Sequence, residues 1–441
     1  MDELGTLMTS NTLEHHWCPF TSNRDFKANP RLMARGEGVY YWSERGEKII
    51  DGSSGLFCCP LGHGRREIAD AVAEQLTTLD FAPHFQSGHR LSFELASRVA
   101  RILPEGINRV FFGCSGSEAV DTALKIALAY HRANGEAQRT RFVSRERAYH
   151  GVNIAGTSLA GIVKNRHVFN PVTFPVAHMR HTWLEENRFA EGRPPHGAEL
   201  ADDLERICQL YGGDMIAACF VEPIAGSTGT LVPPVGYLER LREICDRHGI
   251  LLVFDEVITG FGRTGEAFAA DAFGVRPDIM TMAKAITNAA QPMSAVAVDE
   301  RIYDTVVRSA PEESIEFFHG YTYSAHPAAC AAGIVVQDIY RREGVFERAA
   351  TMAPYFQERL FALKDVPVVT DVRGYGMMGG IDIAPDGPVG HRGLETTKRF
   401  WEAGLHVKFT GDAGIIAPPL VAERDHIDEV FDKAEAVLRA T

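Results

Sequence analysis

The 441-residue chain lacks any apolar run long enough to cross a membrane and any recognisable spacing of metal ligands. Its longest apolar stretches, such as residues 250–254 and 328–336, fall well short of the roughly 18 residues that a spanning helix requires. The eight cysteines form no CxxC pair and the 17 histidines form no HExxH motif, so we expect free, mostly buried thiols and no metal site. Residues 1–5 (MDELG) show no secretory signal, which predicts a cytoplasmic protein.

Positive charge is also scarce. The chain has 45 Lys and Arg against 58 Asp and Glu, a formal net charge of −13, and the basic residues are scattered, so we expect no nucleic-acid partner. Hydrophobic residues make up 45% of the chain, which excludes a mainly disordered protein, and the length predicts two or three domains or one large α/β domain with an appendage. Short apolar runs alternate with helical patterns, and this alternation predicts parallel βαβ units covered by helices.

A turn at Ser115, Gly116 and Ser117 opens one predicted helix. It follows the predicted strand 110–112, and apolar residues then recur at helical spacing from 120 to 128. The unpaired N–H groups and the positive dipole end at such a helix start can bind a phosphate. A plain helix cap explains the turn equally well.

Ionisable residues follow three further predicted strands. Glu222 comes after residues 216–221, Asp255 after the uninterrupted apolar run 250–254, and Lys284 after a third apolar segment. The carboxyl ends of parallel strands meet at one edge of a sheet, where α/β proteins bind ligands. A buried carboxylate there needs a cation or several hydrogen-bond donors, whereas an isolated lysine is usually a solvated surface group.

A phosphate-binding turn, an acid and a lysine together indicate an anionic cofactor with a protonatable ring and an aldehyde. Pyridoxal 5′-phosphate has these groups. Asp255 would keep the pyridine nitrogen protonated, and Lys284 would bond to the aldehyde and move a proton during the reaction. Partial burial would lower the pKa of Lys284 and make its neutral amine available.

The order of several motifs resembles that of the class III aminotransferases, which have the pyridoxal-phosphate fold type I. Within this family, the chain is most similar to the β-alanine (ω-amino acid):pyruvate aminotransferases. The similarity runs from about residue 14 to the C-terminus. Motifs that carry it are residues 113–118 (GCSGSE), 149–153 (YHGVN), 221–224 (VEPI), 252–265 (LVFDEVITGFGRTG) and 319–327 (HGYTYSAHP).

This resemblance implies roles in a cofactor site. Tyr149 would stack on the pyridine ring, Val257 would contact its opposite face, and Glu222 would support the surrounding network. Thr322 would reach the phosphate from the partner subunit, so the resemblance also implies a homodimer, with a tetramer as the alternative. The implied cofactor-binding residues are Ser115, Gly116, Ser117, Tyr149, His150, Glu222, Asp255, Val257, Lys284 and Thr322.

The resemblance also implies a substrate pocket, for which Phe20, Phe57 and Tyr149 are wall candidates. The β-alanine group has an arginine that binds the substrate carboxylate where this chain has Lys408. Lysine offers a point charge in place of arginine's planar fork of donors. We therefore expect that Lys408 binds a carboxylate with looser geometry, or that it points to solvent and another cation, such as Arg90, takes its place.

These observations predict an α/β protein of fold type I. A large domain, residues 56–325, would hold a mainly parallel seven-stranded sheet, and residues 1–55 and 326–441 would form a small α+β domain. The predicted reaction transfers an amino group from a β-alanine-like ω-amino acid or a primary amine to pyruvate in a ping-pong cycle. An (S)-selective amine transaminase with little need for a donor carboxylate is the first alternative.

Three other functions are weaker alternatives. A decarboxylase, racemase or aminomutase would use the same cofactor, because the bond broken depends on substrate orientation. An interaction protein that merely keeps the fold would be expected to lose Lys284 or Asp255. Residues 374–379 (GYGMMG) match the dinucleotide pattern GxGxxG, but an extended segment follows them instead of the helix that such a site requires.

Overall fold

Strands and helices alternate through most of the computed structural model, which describes residues 13–441. The strands are β1 (Met33–Glu37), β2 (Tyr40–Ser43), β3 (Lys48–Asp51), β4 (Ile107–Gly113), β5 (Arg141–Arg145), β6 (Val176–Met179), β7 (Ile216–Val221), β8 (Leu251–Asp255), β9 (Ile279–Met282), β10 (Ser294–Asp299), β11 (Val369–Tyr375), β12 (Met378–Ile383), β13 (Leu405–His406), β14 (Lys408–Thr410) and β15 (Ala413–Ile416). The α-helices are α1 (Asn23–Ala28), α2 (Ser54–Phe57), α3 (Arg66–Thr78), α4 (Arg90–Ala100), α5 (Gly116–Ala133), α6 (Ile154–Leu159), α7 (Val163–Arg166), α8 (Asp202–Tyr211), α9 (Tyr237–His248), α10 (Ala269–Phe273), α11 (Glu300–Arg308), α12 (Pro327–Arg342), α13 (Val345–Phe361), α14 (His391–Glu402) and α15 (Arg424–Arg439).

The largest sheet has seven strands in the order β4-β10-β9-β8-β7-β5-β6. β10 pairs antiparallel with both of its neighbours, β4 and β9. The other neighbouring pairs are parallel. The predicted α/β class with a mainly parallel, seven-stranded sheet is therefore confirmed.

The middle strands of this sheet are buried along their whole length, as expected for parallel strands with helices on both faces. Side chains of β8 alternate between two hydrophobic cores. Leu252 and Phe254 belong to the larger core, which includes Leu241 of α9. Leu251 and Val253 belong to a second core, to which the apolar face of α5 contributes. The uninterrupted apolar run of β8 thus reflects burial on both faces.

Two smaller sheets have four strands each, in the orders β1-β2-β3-β13 and β11-β12-β15-β14. Ile50 of β3 pairs in parallel with Leu405 of β13, so segments from near the two ends of the chain share one sheet. The predicted small domain, which contains residues 1–55 and 326–441, requires a contact of this kind. The domain boundaries themselves stay a prediction.

Arg263 connects the N-terminal loop to the C-terminal part of the chain. Its buried guanidinium donates to Ser54 Oγ at 3.0 Å and to the carbonyl oxygens of Met377 and Pro418 at 3.0 and 2.6 Å. Ser54 Oγ in turn donates to the carbonyl oxygen of Ala417 at 2.8 Å. These bonds fix the segment after β3 against the segment after β15.

Residues 374–379, the GxGxxG match, form the hairpin between β11 and β12. Tyr375 pairs with Met378, which leaves a two-residue turn. A strand follows this turn where a dinucleotide site needs the N-terminus of a helix. The dinucleotide alternative is therefore wrong.

Within residues 13–441, no helix is both long enough and apolar enough to cross a bilayer. The cytoplasmic location stays a prediction, and residues 1–5, on which it partly rests, lie outside the described residues.

Candidate active site

A cavity of about 140 Å³ lies at the carboxyl edge of the central sheet. Three neighbouring strands deliver ionisable residues to it, because Glu222 follows β7, Asp255 ends β8 and Lys284 lies just after β9. The predicted site residues that line this cavity are Gly116, Ser117, Tyr149, His150, Glu222, Asp255, Val257 and Lys284.

The turn before α5 forms one wall of the cavity. Ser115 is the N-cap of this helix, and its Oγ accepts a hydrogen bond from the N–H of Glu118 at 3.2 Å. A Cβ on Gly116 would lie 3.3 Å from a methyl carbon of Val257, so glycine permits a close approach of the backbone to that side chain. The first-turn N–H groups of this 18-residue helix are suited to bind a phosphate.

Asp255 is buried and accepts several hydrogen bonds at the end of β8. Its Oδ2 lies 2.8 Å from His150 Nδ1. Its Oδ1 accepts hydrogen bonds from the Thr281 hydroxyl at 3.0 Å and from the N–H of Val257 at 3.2 Å. The His150 ring is also buried, and its Nε2 has no partner among residues 13–441. These contacts meet the need of a buried carboxylate for donors and fix its orientation.

Glu222 is a second buried carboxyl in the cavity. Its oxygens accept hydrogen bonds from the N–H groups of Tyr149 at 3.0 Å and Gly226 at 3.2 Å. Burial raises the pKa of Glu222 to about 7, with the charge of Asp255 acting in the same direction and His150 against it. This side chain can therefore gain or lose a proton near neutral pH.

Lys284 occupies a strained position as the first residue of a short 3₁₀ turn (Lys284–Thr287) that follows β9. Its φ of 52° lies in the left-handed region. This conformation is energetically unfavourable for any residue other than glycine, and such strain is typical of functional sites. Burial lowers the pKa of its amine, an effect that the charges of Cys58, Asp255 and Glu222 oppose. The lowered pKa favours the neutral, nucleophilic amine.

The substrate-pocket candidates are dispersed. The buried Phe57 has its ring centroid 5.4 Å from Lys284 Nζ. Phe20, by contrast, is 77% exposed. Lys408 is half-buried outside the cavity lining, where its Nζ donates to the carbonyl oxygen of Phe409 at 2.6 Å and burial lowers its pKa.

Two other candidates, Arg90 and Thr322, are exposed. Neither lines the cavity of its own chain. Within one chain, the structure therefore brings Phe57 to the site but not Phe20, Arg90, Thr322 or Lys408.

Sequence reasoning misses two residues of the site. Thr281 bonds to Asp255, and its signal is a hydroxyl inside the otherwise apolar strand β9. Gly151 lines the cavity with a φ of 92°, and a Cβ there would come within 2.5 Å of Ser117 Oγ. The requirement for glycine at this position arises from that tertiary contact.

Comparison with known proteins gives consistent matches over nearly the whole chain. The family model for class-III aminotransferases matches residues 21–438. The chain belongs to the class III aminotransferases. An omega-aminotransferase of Caulobacter vibrioides is 50% identical to it over 97% of this chain and 98% of that protein. An omega-amino acid–pyruvate aminotransferase of Pseudomonas putida is 47% identical, over 98% and 97% of the two chains.

Solved structures of related enzymes share the fold of this aminotransferase. An omega transaminase of Pseudomonas jessenii in complex with PMP has a TM-score of 0.92 at 30% identity, and the match covers 98% of both chains. An (S)-enantioselective omega-transaminase of Thermomicrobium roseum has a TM-score of 0.91 at 34% identity, covering 99% of this chain and 98% of that one. The predicted fold type I is confirmed.

The cofactor of class III aminotransferases is pyridoxal 5′-phosphate, as predicted, and the cavity fits it. The phosphate can bind at the start of α5, and the buried Asp255 can face a protonated ring nitrogen. Lys284 brings an amine to the same cavity. All three features belong to one edge of the sheet, so this aminotransferase can hold the whole cofactor there.

The raised pKa of Glu222 predicts a specific pH dependence of stability. Glu222 keeps its proton up to about pH 7 when folded but loses it near its ordinary value of 4.5 when unfolded. Between these values the folded state binds more protons, so the contribution of Glu222 to the free energy of unfolding falls as pH rises and then levels off. In Glu222→Gln this fall, on the order of 3 kcal/mol, should be absent.

The measurement is the melting temperature of the cofactor-free protein across this pH range. The melting temperature of Glu222→Gln should rise relative to that of the parent protein as pH increases. Glu402→Gln, at an exposed glutamate, is the control and should follow the parent. Parallel curves for Glu222→Gln and the parent would show that Glu222 has an ordinary pKa.

Proposed function

We propose that this aminotransferase transfers the amino group of an ω-amino acid or a primary amine to pyruvate. The observation that carries the proposal is the shared cavity of Lys284 and the Asp255–His150 pair, in a chain about half identical to relatives named for this reaction. A beta-alanine–pyruvate aminotransferase of Pseudomonas aeruginosa is among them, at 48% identity. None of these names supports a decarboxylase, racemase or aminomutase.

Lys284 is the catalytic base and acid in this proposal. The bound cofactor supplies an aldehyde that carries the amino group and a ring that withdraws electrons from the reacting carbon. Burial favours the neutral form of Lys284, so its Nζ can accept a proton from the substrate carbon and return it at a neighbouring atom. The amine stands in the cavity with two carboxyl groups, so its protonated form is also stabilised.

The other cavity residues hold and orient the cofactor. Ser115, Gly116 and Ser117 would bind the phosphate at the start of α5. Asp255, fixed by His150, would keep a positive charge on the ring nitrogen. Tyr149 and Val257 would contact the cofactor ring. Glu222 holds the backbone of Tyr149 by accepting a hydrogen bond from its N–H.

The two candidate classes of donor, ω-amino acids and uncharged amines, differ in whether the site must bind a donor carboxylate. A role for Lys408 requires its Nζ to leave the carbonyl oxygen of Phe409, which it now contacts at 2.6 Å. Burial lowers the pKa of this amine, and an incoming carboxylate would act in the opposite direction and stabilise its charged form. With Lys408 in its present position, an uncharged amine is the better donor, and this favours an amine transaminase as the second candidate.

The proposed assembly is a homodimer, with Thr322 of each chain completing the other's phosphate site. Thr322 is exposed, and its loop is anchored beside the phosphate-binding turn because Tyr321 Oη donates to the carbonyl oxygen of Glu118 at 3.1 Å. Exposed aromatic residues flank this loop, including Phe85 and Phe318. An exposed apolar surface of this kind commonly marks a subunit interface.

The first prediction of the proposed function concerns the two half-reactions. β-Alanine should bleach the visible absorbance of the purified, cofactor-loaded enzyme, and pyruvate should restore it. Lys284→Ala should lose this cycle, whereas Lys364→Ala, at an exposed lysine, should keep it. Absorbance that ignores β-alanine but responds to an uncharged arylalkylamine would identify an amine transaminase. Absence of a visible band after addition of pyridoxal phosphate would contradict the cofactor assignment.

The second prediction concerns Lys408. If its ammonium binds the carboxylate, Lys408→Ala should raise the KM for pyruvate roughly tenfold, the cost of a lost charge-assisted hydrogen bond. Lys408→Arg should keep the KM low, because arginine retains the charge. Lys433→Ala, at another half-buried lysine, is the matched control. An unchanged KM for pyruvate in Lys408→Ala would remove this residue from the pocket.

The third prediction concerns Thr322. Thr322→Glu should weaken cofactor binding, because a carboxylate repels the phosphate. Co-expression with Lys284→Ala chains should restore about a quarter of the activity, since half of the randomly paired dimers then carry one intact site. Co-expression of Lys284→Ala with Asp255→Ala should restore nothing, because both residues act within one chain. Failure of the first pair to recover would place Thr322 outside the partner's site.

A further inference from the structure

Cys58 and Cys59 form a pair of thiols beside the catalytic lysine. Their Sγ atoms lie 3.8 Å apart, and all eight cysteines of the chain are free. Cys58 is half-buried, Cys59 is buried, and both directly follow Phe57, whose ring lies against Lys284. Cys58 is therefore the next residue after Phe57 in the wall of the proposed substrate pocket. The chemistry assigned to the cavity uses neither cysteine.

The two thiols differ in character. A hydrogen bond from the Cys59 thiol lowers the pKa of Cys58, and burial opposes this shift. The pKa of Cys59 is raised by its hydrogen bond to Cys58 and by burial. Cys58 is thus the more acidic thiol of the pair, so it forms the nucleophilic thiolate more readily than Cys59.

From this geometry we infer that Cys58 and Cys59 form a peroxide-reactive site that is oxidised to a disulfide between adjacent residues and thereby inactivates the enzyme reversibly. The Cys58 sulfur attacks one oxygen of hydrogen peroxide, the O–O bond breaks, and a proton is taken up as water leaves, giving a sulfenic acid. The Cys59 sulfur then attacks the Cys58 sulfur, the S–O bond breaks, and the thiol proton leaves with a second water. The two thiols lose two electrons, and the peroxide takes them up.

The change in charge on Cys58 favours the second step, the attack of the Cys59 sulfur. Part of the raised pKa of Cys59 comes from the negative charge on Cys58. That charge disappears when Cys58 becomes a neutral sulfenic acid. Cys59 is then deprotonated more readily, at the moment when its sulfur must attack.

The disulfide would disturb the active site through the backbone. The peptide bond holds the Cα atoms of adjacent residues about 3.8 Å apart, below the roughly 4.4–6.8 Å usual for disulfides, so the bond closes a small strained ring and the backbone torsions of Cys58 and Cys59 must change. Phe57 already has a φ of 63°, and Ser54 and Gly55 before it also have positive φ values. A change at Cys58 would therefore move Phe57 relative to Lys284. The resulting strain would make the bond easy to reduce.

The test treats the cofactor-loaded enzyme with hydrogen peroxide and follows both mass and activity. Tryptic peptide 49–65 contains these two cysteines and no other. It should become lighter by two hydrogen atoms while most activity is lost, and a thiol reductant should restore both. Cys59→Ser should stop at the sulfenic acid on Cys58, which dimedone traps, and Cys18→Ser should behave as the parent. Activities are compared with those of the same variant before treatment.

Two results would overturn the inference. One is a peptide that keeps both free thiols while the enzyme loses activity. The other is a peptide that loses two hydrogen atoms while activity stays unchanged, which would leave a disulfide without effect on the site. The mass measurement on the parent enzyme needs no substrate and no variant, so its outcome is independent of whether the proposed donor and acceptor are correct.

Discussion

Burial of ionisable groups at one edge of the central sheet is the constraint on which the active site depends. Removing carboxylates and an amine from water is costly unless each finds a partner. Asp255 meets this cost with three donors, and Glu222 meets it by holding a proton up to about pH 7. Lys284 responds by favouring its neutral form. The desolvation that destabilises these charges is thus also what makes the amine reactive.

The sheet and the strand ends could be predicted from the sequence because their signals are local. β7 and β8 are continuous apolar runs that end at Glu222 and Asp255, and the structure places both side chains in the cavity. The cap of α5 was equally readable, since Ser115 precedes Glu118 by three residues and the structure contains that hydrogen bond. Each of these features needs only a short window of sequence.

Contacts between distant segments could not be predicted in this way. The bond between His150 and Asp255 joins residues 105 positions apart, and it depends on the order of strands in the sheet. Trp183 Nε1 donates to Asp371 at 2.8 Å across 188 positions of sequence, and no local pattern indicates this bond. Phe20 and Thr322 are exposed within one chain, so a role for either depends on a second chain.

The pairing of β3 with β13 has a consequence for the timing of folding. The ribosome makes Ile50 long before its partner Leu405, and at the usual rate of about 5–20 residues per second the interval is on the order of tens of seconds. The central sheet can form during this interval, but the N-terminal sheet is complete only after Leu405 has been made. Because Arg263 fixes the loop at Ser54 to Pro418, the wall around Phe57 is among the last parts to assemble. A nascent chain would therefore have Lys284 and the start of α5 in place before the segment around Phe57 is fixed.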